Sequence, residues 1–163
     1  RRIAYVEGPP CNVLTLSRKR GLEEECSRFG LKPPIIFPGD FSIQSGREAA
    51  RSLLCTDPRP SAVFCSSDTA AIGMITGLRE SGLSVPQDVS VIGFDDIEMA
   101  AFYYPALTTI RQERRLLGRR AAELLVARLG GNPRHTGRTR NHGPSADLGC
   151  ADDFLFKVNR RAG

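Results

Sequence analysis

Short apolar runs alternate with longer helical patterns along most of this chain, and that alternation narrows it to one class of fold. Ile3-Ala-Tyr-Val6 reads as a strand, followed by a helix from about Thr15 to Phe29 that stops at Gly30. Pro34-Ile-Ile-Phe37 reads as the second strand, and a helix from about Gln44 to Leu54 follows it. Ser61-Ala-Val-Phe-Cys65 is the third strand; Asp68 opens a helix to about Ser81, with Gly82 as its stop. Val89 to Phe94 is the fourth strand. Strands separated by helices of this length build βαβ units, whose crossovers demand parallel pairing and cover both sheet faces. Residues 1–110 are therefore expected to form an α/β unit, a doubly wound parallel sheet with helices on both faces.

A different segment follows. Leu116, Leu117, Ala121, Leu124, Leu125 and Leu129 recur near helical spacing and predict a helix over 114–129 with an apolar stripe, ended by Gly130-Gly131-Asn132-Pro133. Residues 134–163 have little periodicity and are expected to be irregular, with Phe154-Leu-Phe156 as the one apolar patch able to dock.

Charge and cysteines limit the partners. The net charge of +5 is unevenly placed: residues 1–110 carry 11 Lys/Arg against 13 Asp/Glu, while the excess lies beyond them. Of the 23 basic residues 20 are Arg, so the excess reads as a solvated face ahead of a nucleic-acid surface. Five cysteines form no CxxC pair and no metal-ligand spacing, which suits a reducing compartment such as the cytoplasm. No apolar run approaches the ~20 residues that span a bilayer, and Arg1-Arg2 opens no signal peptide. Without Met at position 1, the sequence reads as a piece of a longer product.

Polar residues gather just after the strands, where ligands of open α/β sheets bind. Asn12 and Arg18 follow the first strand, Asp40 and Phe41 the second, Ser66, Ser67 and Asp68 the third, Asp95 and Asp96 the fourth. Carboxylates and a guanidinium hydrogen-bond hydroxyls or ring nitrogens, and an aromatic face covers an apolar ring. That mixture suits a polyhydroxylated or heterocyclic small molecule. Plainer roles exist for each residue. Asp68 reads first as a helix cap, Arg18 as one of three solvated cations in Arg18-Lys19-Arg20, and Asp95-Asp96 as a turn or half of a Mg²⁺ site. Neither GxGxxG nor GxxxxGK[ST] is present, and His135 and His142 lie far from any nucleophile. No cofactor, no resident metal and no catalytic residue is expected.

Several of these stretches together resemble one family. Ser61-Ala-Val-Phe-Cys-Ser-Ser-Asp68, Ala71-Ile-Gly73, Gly82 through Asp96 and Pro105-Ala-Leu-Thr-Thr-Ile-Arg-Gln112 are similar, in order and spacing, to LacI/GalR-type bacterial transcription regulators. Arg2-Ile-Ala-Tyr-Val-Glu-Gly-Pro9 and Arg18-x-x-Gly21 extend the likeness, which covers roughly residues 1–130. The resemblance implies a non-enzymatic, effector-sensing domain of the periplasmic-binding-protein-like fold, here incomplete. It implies homodimers, and two subdomains that close around a small sugar, nucleoside or purine-like effector. Operator DNA would be bound only through a helix-turn-helix absent from this chain.

Position by position, Arg18 and Asp95 match ligand-binding residues and Phe41 an aromatic that stacks on the ligand. Ser67 and Asp68 match a polar pair at the pocket wall, and Asn12 a variable contact. Leu14 stands where some members have a polar contact. In the family the segment after Ile110 crosses to a first subdomain, so residues 111–133 are expected to pack there and the leucine stripe would otherwise be exposed. Residues 134–163 depart from the family pattern, as a truncated or frameshifted reading frame would. A solute-binding receptor of a sugar transporter shares the fold and is the alternative reading, with a carboxylate-dependent magnesium enzyme a third.

Overall fold

The computed structural model describes residues 2–129. The chain divides into two compact units, the first running through Arg111 and the second beginning at Gln112. The first unit holds a parallel sheet of β1 (Ile3–Val6), β2 (Ile35–Phe37), β3 (Ala62–Cys65), β4 (Ser90–Asp95) and β5 (Thr108–Arg111), in the order β2-β1-β3-β4-β5. Between them run α1 (Val13–Arg28), α2 (Ile43–Leu54), α3 (Asp68–Glu80) and the short α4 (Glu98–Phe102). Of the second unit, α5 (Arg114–Leu129) is described, over the span its leucine spacing predicts. The expectation of an irregular segment at 134–163 lies outside the described residues. Among the described residues no helix is long and apolar enough to cross a membrane.

The register shows why the sheet is covered on both sides. Val63 pairs with both Ala4 and Val91, and Cys65 with Val6, so these residues share one face. They are buried against Ala49, Ala50 and Leu53 of α2 and Ala71, Met74, Ile75 and Leu78 of α3. Each large aliphatic side chain removed from water there contributes about 1.5–3 kcal/mol. Tyr5 pairs with Phe64, and these with Phe94 alternate to the other face, with ring centroids 5.2 Å and 6.3 Å apart along the row. There the Tyr5 hydroxyl donates to the Thr15 carbonyl at 3.4 Å, which places α1 over that face.

β5 and α4 fall in the stretch that reads in sequence as turns. Five residues are too few for a helical period, and Thr108-Thr-Ile-Arg111 has no apolar run; β5 forms because β4 offers its edge, Gly93 opposite Thr109.

Cys26 and Cys65 are buried, while Cys11 and Cys55 are exposed. Burial, with the Asp68 charge nearby, pushes the Cys65 thiol far above its ordinary range. A thiol-labelling reagent is expected to modify Cys11 and Cys55 in the native chain, but Cys26 and Cys65 only on unfolding, as peptide mass mapping would show.

Candidate functional site

Parallel pairing brings the C-terminal ends of β1, β3 and β4 side by side, and Arg18 reaches across them. From α1 its guanidinium lies 3.8 Å from the centroid of the Phe94 ring. It donates to the Ser66 carbonyl just past β3 and sits 3.5 Å from Asp95 Oδ1 at the end of β4. Its side chain is only 10% exposed. It is therefore an ordered group within the sheet edge rather than one of three solvated cations. Such a guanidinium, held by a carbonyl and an aromatic face, keeps a fixed orientation that a lysine could not.

The other predicted residues stand around this edge. Asn12 caps α1, its side-chain oxygen accepting from Leu14 N–H at 2.9 Å and Thr15 N–H at 3.4 Å. Phe41 has φ +71°, and its carbonyl accepts from the Ser67 and Thr69 hydroxyls. Its ring presses on the β1–α1 loop so closely that a Cβ on Gly8 would fall 2.1 Å from Phe41 Cε1. Asp40 closes the turn before α2 by accepting from Ser42 N–H at 2.9 Å, and its hydrogen bonds with Ser42 hold its carboxyl below the usual range.

Ser67, and not Asp68, caps α3: its hydroxyl oxygen accepts from Ala70 N–H at 3.1 Å. Asp68 is fully buried and turned inward, accepting from the Ile97 N–H at 2.9 Å and from the Thr109 hydroxyl. Burial raises its pKa, with the Thr109 and Ile97 hydrogen bonds working against the rise. Arg18 and Asp95 thus come together at the edge, Ser67 is tied to the Phe41 carbonyl, and Asp68 is turned into the interior.

The two neighbouring carboxylates of the fourth junction part company. Asp95 faces Arg18, whereas Asp96 Oδ2 lies 3.4 Å from Arg111 Nε. Among the described residues no group of three or more His, Cys, Asp or Glu side chains could hold a metal. Each of the two carboxylates is paired with a different arginine.

Sequence reasoning missed Phe94, Glu7 and Thr109. Phe94 forms the floor under Arg18, and strand alternation from Tyr5 and Phe64 would have placed it on the same face. Glu7, one residue past β1, pairs with Lys19 Nζ at 2.7 Å, an interaction that raises the Lys19 pKa.

Beneath Arg18, burial pushes the Tyr5 phenol up to about 12, against the opposing effect of the Arg18 charge. A folded-state value above the ordinary 10.0 means that folded Tyr5 keeps its proton where the unfolded chain loses it. That contribution is intact below pH 10 and is lost as pH rises toward about 12. Tyr5→Phe should flatten the alkaline loss of stability by roughly 2–3 kcal/mol, read from urea unfolding across that range.

A concavity lies at the opposite sheet edge. A groove of about 990 Å³ is lined by Leu83, Val85, Tyr103, Tyr104 and Leu107, with Arg79 donating to the Tyr104 carbonyl at 2.9 Å. It lies at the starts of β4 and β5, away from the strand ends where open α/β sheets bind ligands.

Residues 1–146 match the periplasmic binding protein-like domain. The chain belongs to that family. The PurR HTH-type transcriptional repressor of Actinobacillus pleuropneumoniae serotype 3 (strain JL03) is 48% identical over 129 residues, covering 78% of this chain and 38% of the repressor. A LacI-family regulatory protein from Chloroflexus aggregans superposes with a TM-score of 0.77 at 34% identity, covering 80% of this chain and 48% of that one. The Lac repressor dimer bound to operator and the anti-inducer ONPF superposes with a TM-score of 0.76 at 34% identity, over 81% of this chain and 46% of that one. LacI/GalR-type regulators are thus the branch of the family that this chain resembles. It spans about two fifths of the length of the curated relatives it matches.

Proposed function

We propose that this periplasmic-binding-protein-like chain is the effector-sensing part of a LacI/GalR-type transcription regulator. In this reading a sugar, nucleoside or purine-like molecule meets Arg18 and Asp95, stacks on Phe41, and is bordered by Asn12 and Ser67. The observation that carries it is the oriented Arg18–Asp95 pair over Phe94 at the strand ends. A fixed guanidinium beside a carboxylate offers donors and acceptors together, which a polyhydroxylated or heterocyclic ligand can satisfy in one pose. Repressors among the relatives support a regulator ahead of a transporter's receptor.

The remaining parts follow from the same reading. Residues 111–133 cross to the first, N-terminal subdomain, and their leucine-rich helix packs there. The regulator acts as a homodimer, reaches operator DNA through a helix-turn-helix outside this chain, and catalyses no reaction. Effector binding then changes operator affinity by favouring one arrangement of the subdomains over another.

The test is a gel shift on two proteins. The full gene product is expected to retard operator DNA in an effector-dependent way, while these 163 residues retard operator and random DNA equally. Specific, salt-resistant retardation by the 163 residues alone would contradict the proposal.

A further inference from the structure

We infer that Asp68 is a positioning residue that, together with Thr109, holds the Asp95–Asp96 turn in the geometry that sets Asp95 against Arg18. Its consequence for effector affinity rests on the effector-binding reading; the tie itself stands on geometry alone. Asp68 Oδ2 accepts from the Ile97 N–H at 2.9 Å, and Oδ1 accepts from the Thr109 hydroxyl. That hydroxyl oxygen in turn accepts from the Asp96 N–H at 3.3 Å. Two successive backbone N–H groups of the turn therefore lead to one buried carboxylate, directly or through Thr109.

The turn has need of such a hold. Asp95 has φ +117° and Asp96 φ +52°, a region that residues with a Cβ occupy at a cost. Nothing covalent fixes it there. Asp68 and Thr109 are 0% and 1% exposed, so water does not compete for these hydrogen bonds. Space for the carboxylate comes from β4 itself, since a Cβ on Gly93 would stand 2.3 Å from Asp68 Oδ1. As the first residue of α3, Asp68 also sits where helix N–H groups favour negative charge. An asparagine has one acceptor oxygen: if it accepts from the Ile97 N–H, its Nδ2 must donate to the Thr109 hydroxyl, which reverses that bond and removes the charge from both.

The experiment is NMR on the 163-residue chain with no effector present, so its failure would be separate from failure of the effector reading. Thr109→Val keeps the shape and deletes the hydroxyl. It should speed hydrogen exchange of the Asp96 and Ile97 amides about tenfold, the scale of one buried charge-assisted hydrogen bond. It should also move the Asp95 carboxyl carbon and the Arg18 Nε–Hε resonances. Asp68→Asn should do the same, and Thr109→Ser, which keeps the hydroxyl, should restore native signals. Leu78→Ala, in the core on α3, should lower stability without moving them. Native Asp95 and Arg18 resonances in folded Thr109→Val, or equal movement in Leu78→Ala, would overturn the inference. Should Asp68→Asn fail to fold, the Thr109 pair alone decides.

Discussion

Arg18→Ala is expected to lower affinity for an effector a hundredfold or more, about 2.7 kcal/mol, while the fold persists. The guanidinium is nearly buried, and it touches Phe94, the Ser66 carbonyl and Asp95 at once. Its removal takes away the cation and leaves Asp95 and the Ser66 carbonyl without that donor, a larger loss than any exposed pair. α1 keeps its Asn12 cap and its hold on Tyr5. Arg18→Lys should fall between, because an ammonium cannot lie flat on the ring and fork toward two acceptors. Calorimetric titration with whichever purine nucleoside, pentose or disaccharide the native chain binds would read the series. Equal titrations for native chain and Arg18→Ala would remove Arg18 from the site.

Gly73→Ala should destabilise the chain by about 3 kcal/mol or more, the upper range of overpacking effects. A Cβ at Gly73 would stand 1.9 Å from the Ile43 carbonyl oxygen, and one at Gly46 would stand 2.1 Å from that of Ala70. These are backbone atoms, so no side chain can turn aside; α2 and α3 must separate, and the core of Leu53, Met74 and Leu78 opens with them. Gly21→Ala is the contrast: its Cβ would meet nothing within 4 Å inside α1, so it should gain up to about 1 kcal/mol from helix propensity. Urea unfolding of the two variants gives both signs in one experiment.

What could be read from sequence was set by the length and contrast of each pattern. α1, α2 and α3 each span three turns or more, and the apolar runs of β1, β3 and β4 are bounded by turn residues, so their alternation fixed a parallel sheet. β5 and α4 are too short to show a period, and Thr109 was invisible for that reason. The strand-end rule brought Arg18, Phe41, Ser67 and Asp95 to one edge, but it could not say which way a side chain turns. Asp68 shows the difference. Its place at the start of α3 suggested a cap or a wall contact, yet the small side chain of Ser67 takes the cap and Gly93 leaves a hollow into which the carboxylate turns. Arg18, flanked by Lys19 and Arg20, looked like one of three similar cations. The family resemblance singles it out, and in the structure its contacts with Phe94, the Ser66 carbonyl and Asp95 set it apart.

Where a small molecule binds decides most directly whether this chain senses an effector. Amide shifts of the 163-residue chain, followed through titration with purine nucleosides, pentoses and disaccharides, would locate it. The prediction is saturable shifts at Asn12, Phe41, Ser67 and Asp95, abolished by Arg18→Ala. Shifts confined to Leu83, Val85 and Tyr104 in the groove at the opposite sheet edge, or none for any of these ligands, would contradict it.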